Sequence, residues 1–362
     1  MKSYQRIIPI LICIVLVLLF LPACTSPTSS QLPPTPEAAQ TEEPVASPEP
    51  TQDQETVKLK VVTQPYITFV PFYMALQEGY FAEQGLDVEL VTLTSNQEIL
   101  PALSSGQVDV SSGLVSSGLL NAIGRGGNFK IVADKGYIDP DQCANYAMIA
   151  RQDLVEAGVF QSEEDLRGHT IDTVPATWLE YYLGRLLEAG GLTLEDIDTT
   201  DMPPPAEKEA FEQKTLELTI LSEPWVTRHM KAGHSPVLTP ASELLPDSEA
   251  AVIMYGPTML DEDTDIGERF MVAYLKGVRQ YDEGKTPRNM ELVAEYTQLD
   301  PELLAEMCWP ALRRSGELNV QSILDFQEWA IDAGYLDEAV LPESFWDGSF
   351  VTNANSILDS AQ

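Results

Sequence analysis

The sequence predicts a two-lobed α/β protein, each lobe a mostly parallel sheet flanked by helices, with the chain crossing between the lobes twice at a hinge. Three observations carry this reading. Leu59–Leu120 packs three strand–loop–helix units in succession, the pattern of a parallel sheet with right-handed crossovers. A second series of short apolar runs and amphipathic helices follows from Tyr146 to Tyr255. Turn-rich stretches at Tyr137–Cys143 and Gly256-Pro257 stand where crossings are expected, and so long a folded part suits two lobes better than one core.

From the amino end, Lys2 and Arg6 precede an apolar run, Ile7–Leu21, that closes in Leu21-Pro22-Ala23-Cys24. Charged start, apolar middle and small residue before the cut describe a signal peptide over residues 1–23. The run is shorter than the ~20 residues of a membrane span. Leu-x-Ala-Cys resembles a bacterial lipobox, which makes Cys24 the lipidated first residue of the mature protein. The alternative, an uncleaved anchor, exports the chain equally. Residues 24–56 are rich in Pro, Ser, Thr, Gln and Glu and almost free of large apolar side chains. Such a segment buries too little surface to offset its ordering entropy, and reads as a disordered tether that gives the folded part reach above a membrane.

The first lobe opens at residues 57–139. Leu59–Thr63 is a buried strand, Pro71–Gln77 a helix closed by Gly79, and Leu86–Leu93 an alternating second strand. Ser95 and Glu98 have capping-box spacing at the start of a second helix. Val108–Ser111, the helix Val115–Ile123 and the strand Phe129–Asp134 complete the set. The second lobe, 140–257, takes strands at Tyr146–Ala150, Thr170–Thr173, Ile197–Met202, Leu216–Leu221 and, last, Ala251–Tyr255. Between them lie helices at Ser162–Leu166, Trp178–Ala189 (capped by Thr177 with Glu180 and stopped by Gly190-Gly191) and Ala206–Lys214 after the break Pro203-Pro204-Pro205. After the return at Gly256-Pro257, residues 258–350 pack back on the first lobe. The helices there are Asp263–Glu283, Asn289–Gln298, Pro301–Met307 (Asp300 as cap, Pro301 in first place) and Val320–Ala333.

Composition removes several functions. With 21 Lys and Arg against 56 Asp and Glu, the formal net charge is −35, the opposite of what a nucleic-acid surface needs. The acids are scattered and read as solvated faces. In Asp261-Glu-Asp263-Thr-Asp265-Ile-Gly267 the Gly is seventh and the twelfth residue is Val272, so calcium-loop spacing is absent and the acids suit a helix start. No Cys/His spacing matches a zinc site. Cys13 leaves with the signal and Cys24 is committed to lipid, so Cys143 and Cys308 remain; spacing leaves open whether they pair.

The words FVPFYMALQEGYFAEQGLDVEL and ALSSGQVDVSSG resemble the first lobe of substrate-binding proteins of the SsuA/THI5-like (NMT1-type) group. LRGHTIDTV, LEAGGLTLEDI, LSEPW, YLKGVRQY and LNVQSILDFQEWAIDAGYL follow in the order of its later segments. The resemblance implies a periplasmic binding protein fold of type II, and the ligand-capturing component of an ABC importer for sulfonates, nitrate, thiamine pyrimidines or riboflavin. It implies a small-molecule ligand, an ABC transporter permease as partner, a monomer, no cofactor and no catalytic residue. It also implies an exported protein, held by lipid on the outer face of the cell membrane or periplasmic.

Function in such sheets concentrates where strand carboxyl ends meet helix amino ends. The first lobe offers Gln64–Thr68, Thr94–Asn96 and Gly113–Ser117, none with a phosphate loop or a nucleophile elbow. Tyr66 and Phe69 are candidate aromatic contacts, with Phe72 better read as core. Gln64 and Asn96 are candidate amides, although Asn96 serves as well as a helix cap. Ser116 and Ser117 either donate to a ligand or only cap. In the second lobe Thr177 and Trp178 occupy the matching loop, Trp178 as core residue or cleft wall. Glu223-Pro224-Trp225 ends a strand, with Glu223 as acceptor and Trp225 as a flat surface.

These loops contain aromatic faces and an acceptor but neither Arg nor Lys, which predicts a neutral or weakly basic heteroaromatic ligand, a thiamine-type pyrimidine or riboflavin. The alternative is a sulfonate, taurine or nitrate anion held by helix amino ends. A pyrimidine synthase-type enzyme on the same fold is disfavoured. His169, His229 and His234 lie outside the first-lobe cleft loops, and that branch's Cys-rich motif is absent. A tethered sensor without a transporter is the third reading.

Overall fold

In the computed structural model the described residues are 56–93, 96–262 and 264–360, the side chains at 96, 204, 205, 261, 262 and 264 excepted. The expected signal, the lipidated Cys24, nearly all of the tether, and Ser95 and Asp263 lie outside them. The strands are β1 (Val57–Thr63), β2 (Leu86–Thr92), β3 (Val110–Leu114), β4 (Lys130–Tyr137), β5 (Tyr146–Ala150), β6 (Thr170–Asp172), β7 (Asp198–Thr200), β8 (Leu218–Ser222), β9 (Ser235–Pro236) and β10 (Glu249–Tyr255). They form two five-stranded sheets, β2-β1-β3-β10-β4 and β7-β6-β8-β5-β9.

Each sheet has a parallel part made by local crossovers and a strand running against it. In the first, β1 pairs in parallel with β2, from Val57 opposite Leu86 to Thr63 opposite Thr92, and with β3. In the second, β6 lies parallel to β7 and β8, and β5 runs antiparallel to β8.

One strand is not where the sequence reading put it. Ala251–Tyr255 was expected to close the second lobe, yet β10 lies in the first sheet, antiparallel to both β3 and β4. All seven of its residues are buried, so it needs a central place with both faces covered, and an apolar run carries no mark of which sheet provides one. The return crossing therefore precedes β10, at 246–248, and not at Gly256-Pro257. Gly256 is required for another reason: a Cβ there would stand 2.8 Å from the Leu103 carbonyl oxygen. The two crossings are tied together, Ile138 N–H to Ser248 O (2.9 Å) and Asp247 N–H to Ile138 O (2.8 Å).

On one face of the first sheet the helix Val70–Gln77 packs against Thr264–Tyr281, with the Phe72 and Tyr274 rings 4.8 Å apart. Ser349–Ser360, a helix the sequence did not single out, joins them through Phe350 on Tyr255 (5.0 Å). The other face of that sheet shares a core with the second lobe, where Val115, Val252 and Met254 meet Trp178, Leu183 and Phe326. The carboxyl-terminal segment is accordingly not confined to the first lobe. The helix Val320–Asp332 reaches the helix Trp178–Ala189 through Phe326 and Tyr181 (5.7 Å).

Candidate functional site

The loops after β3 and β6 meet directly. Ser117 N–H donates to Ala176 O and Trp178 N–H to Val115 O, both at 2.9 Å, so that Ser116 and Thr177 face each other as a short antiparallel bridge. Both loops begin helices. Ser116 Oγ accepts from Leu119 N–H (3.2 Å); Thr177 Oγ1 accepts from Leu179 N–H (3.3 Å) and donates to Val174 O (2.7 Å). These two candidates are caps. Ser117 differs: its hydroxyl is buried and has no partner among the described residues. The hydroxyls of Ser111 and Ser112 on β3, and of Thr173 after β6, are in the same condition. A buried polar group left unpaired costs about 1–3 kcal/mol; Ser117 and Thr173 follow the carboxyl ends of β3 and β6, while Ser111 and Ser112 lie within β3.

Tyr66 approaches the second lobe from the first. Its phenol is pushed up by burial and then by the charge of Glu207, on the helix Pro204–Glu212. Tyr146 is pushed up by burial, with Asp134 and Tyr66 adding to it. Glu207 Oε1 accepts from Thr219 Oγ1–H (2.7 Å), while Asp172 Oδ1, at the end of β6, accepts from Thr200 Oγ1–H (2.5 Å) and Met202 N–H (3.1 Å). Glu207 Oε2 is buried and has no hydrogen-bond partner among the described residues. Burial, then Asp172, raises Glu207 to about 9. Neither acid stood out in the sequence, where both look like members of a scattered acidic surface.

The other candidates resolve as follows. Gln64 braces its loop, its Nε2–H on Leu93 O (3.1 Å) and its carbonyl accepting from Tyr296 O–H (2.7 Å). Asn96 opens the helix Asn96–Ser104, its side chain outside the described set. Phe69 is 1 % exposed, with the Lys135 ammonium 3.5 Å from its ring centroid.

Trp178 as a cleft wall is corrected: the indole is fully buried, 4.8 Å from the Tyr146 ring, with its N–H on Ser248 Oγ (2.8 Å). Glu223, expected as a ligand acceptor, is buried and already accepts three hydrogen bonds within the protein. Oε1 accepts from Thr227 Oγ1–H (2.7 Å) and Cys308 N–H (3.1 Å), and Oε2 from Thr227 N–H (3.1 Å). Trp225 packs beside Val226 and Phe211, with the Arg228 guanidinium 4.4 Å over its ring.

Cys143 and Cys308 form a disulfide, Cα to Cα 5.7 Å, tying the first crossing to the segment that contacts Glu223. Two open surface depressions lie away from these loops. One, of about 1060 Å3, runs between the helices of Tyr181 and Trp329. The other, of about 840 Å3, is lined by Arg279, Arg313 and Arg314, each already paired with an acid (Asp359, Asp247 and Asp282).

Residues 66–282, more than half of the chain, match the family model described as NMT1/THI5 like. The protein belongs to the NMT1/THI5-like family. Among curated relatives of this NMT1/THI5-like protein is the riboflavin-binding protein RibY of Chloroflexus aurantiacus, 28% identical over 190 residues, 52% of this chain and 50% of the relative. A second is a formylaminopyrimidine-binding protein of Halalkalibacterium halodurans, 25% identical over 203 residues, 56% of this chain and 51% of the relative. The chain thus spans about half the length of the curated relatives it matches. Similar solved structures include the periplasmic nitrate-binding protein NrtA from Synechocystis PCC 6803 (TM-score 0.69, 14% identity, 84% of this chain and 90% of that one). The alkanesulfonate-binding protein SsuA from Xanthomonas axonopodis pv. citri is another (TM-score 0.64, 16% identity, 81% and 99%). At such identity they establish the shared periplasmic binding protein fold and nothing about the ligand.

Proposed function

We propose that this NMT1/THI5-like protein is an extracytoplasmic solute-binding protein that holds a small heteroaromatic molecule between its lobes and delivers it to an ABC transporter permease. The observation that carries the reading is the convergence between lobes: Tyr66 close enough to Glu207 to feel its charge, with the hydroxyls of Ser117 and Thr173, at the ends of β3 and β6, lacking a partner among the described residues. An aromatic ring and a buried carboxyl that holds its proton suit a planar ring edged with donors and acceptors. Two relatives bear the names of heterocycle-binding proteins, which supports the same ligand class.

The reading is of binding without turnover. His169 is engaged by Glu217 (2.6 Å), and His229 and His234 pack on Phe211, so none is offered to these loops as a base. The disulfide fits an exported protein, and Cys24 would attach it by lipid to the membrane. Calorimetric titration with riboflavin, an aminopyrimidine, taurine and nitrate tests the proposal. Heat of binding from a heterocycle is expected. Tight binding of taurine or nitrate, with neither heterocycle giving heat, overturns it.

A further inference from the structure

Lys135 carries a charge that no partner among the described residues uses. It lies near the carboxyl end of β4, level with the loops already described. Ala251 of β10 stands opposite Gly136 and Val252 opposite Asp134, which leaves Lys135 unpaired as the extra residue of a bulge. Bulges next to functional sites re-aim a side chain. Here the side chain turns beneath the short turn Ile67–Phe69 that follows Tyr66. Its ammonium sits 3.5 Å from the Phe69 ring centroid, and a Cβ on the adjacent Gly136 would stand 3.6 Å from the Thr68 methyl.

Only 3% of Lys135 is exposed, yet among the described residues it makes no ion pair and donates no hydrogen bond. Asp134, its chain neighbour, spends its carboxylate on Gly136 N–H (2.8 Å) and Arg313 N–H (2.7 Å) and lies against Glu249. Buried charges in proteins are almost always paired, and an aromatic face is no substitute for the acceptors an ammonium with three donors requires. Burial, opposed in part by the charge of Asp134, lowers Lys135 to about 7. Ser112 adds a second unpartnered donor on this side of the sheet. It stands opposite Ile253, which stands opposite Ala133, two residues before Lys135.

We propose that Lys135 is a specificity-determining ligand contact, its ammonium receiving an electron-rich oxygen of the bound solute. The inference rests on the binding reading above and deepens it. Lys135 selects rings that carry carbonyl or anionic oxygens over pyrimidines that carry only amino and alkyl groups.

The test compares the full chain with Lys135→Met by calorimetry, using riboflavin, 4-amino-2-methylpyrimidine (which lacks oxygen) and taurine. Riboflavin should bind the variant about tenfold more weakly or worse, the loss of one charge-assisted hydrogen bond, while the aminopyrimidine changes by less than about twofold. The ligand-free variant should melt no lower than the parent, because a buried unpaired ammonium is replaced by an apolar chain of similar length. Equal riboflavin affinity in both proteins overturns the proposal, as does an equal loss for riboflavin and the aminopyrimidine. If taurine alone binds, the heterocycle reading fails, and Lys135 stands or falls on whether the variant loses taurine by the same factor. If none of the three binds, reductive methylation with labelled formaldehyde, mapped by peptide mass, decides. Modification of Lys135 in the folded protein supports an amine presented to the cleft, and its complete protection refutes one.

Discussion

Trp178→Ala separates a structural indole from a ligand-stacking one. The ring is fully buried between Tyr146 (4.8 Å) and Tyr182 (6.1 Å), and its N–H is satisfied by Ser248. Removing a side chain that buries up to about 250 Å2, at about 25 cal/mol per Å2, sets a transfer term near 6 kcal/mol as an upper bound. Measured aromatic-to-alanine changes in cores run at about 3–5 kcal/mol, the range expected here. At roughly 2 °C per kcal/mol for a large domain, the melting temperature should drop by about 6–10 °C. Trp178→Phe should recover most of this and lose about 1 kcal/mol for the Ser248 hydrogen bond. The assay is urea unfolding of all three proteins, with riboflavin titration of each while folded. The reasoning is refuted if the alanine variant unfolds within about 1 kcal/mol of the parent but loses ligand by more than about tenfold.

Glu223→Gln should lower stability by about 1.5–3 kcal/mol, because a carboxylate receiving three donors becomes an amide that can accept through only one oxygen; ligand affinity should change little. A tenfold loss of affinity at unchanged stability would restore Glu223 as a ligand contact. For Glu207 the folded state holds its proton to about 9 against 4.5, so its stabilisation is complete below about pH 4.5 and is lost as pH rises towards 9. Glu207→Gln should therefore remove a slope of about 1.4 kcal/mol per pH unit, read by urea unfolding between about pH 5.5 and 8.5; equal slopes in parent and variant would end the reading of Glu207 as a carboxyl that keeps its proton in the folded state. The amides of Ser117 and Trp178, which join the two loops, should exchange slowly in the ligand-free protein, and fast exchange at both would show that the lobes part there.

The sequence showed most clearly what local chemistry decides. The helix Trp178–Ala189 begins and ends where expected, with Thr177 taking the Leu179 N–H and Gly190 at its close, although Glu180 takes the N–H of Ala176 (2.7 Å) and not that of Thr177. Asp300 caps Pro301–Glu306 through Glu302 N–H in the same way. β1 and β2 were legible from apolar period and spacing. β10 was legible as a strand but not in its sheet, since its partners β3 and β4 lie more than a hundred residues upstream and any covered sheet would bury it equally. Site residues divided along the same line. A reading that looks for function in loops finds Tyr66 and Ser117. It passes over Lys135, Asp172 and Glu207, which sit on strands and a helix and gain meaning only from what burial withholds from them.

That division bears on how the lobes can move. Around Trp178 they share one apolar core and two backbone hydrogen bonds, and the crossings 138–145 and 246–248 are bonded to each other and bridged by Cys143–Cys308 to the Glu223 clasp. Separation there would expose an indole and leave buried amides unpaired, at a cost of several kcal/mol. Between Tyr66 and Glu207 the link is electrostatic, with no hydrogen bond joining the two side chains. Opening is least costly on that side, where a ring can enter and where the unpartnered hydroxyls of Ser117 and Thr173 gain from its arrival.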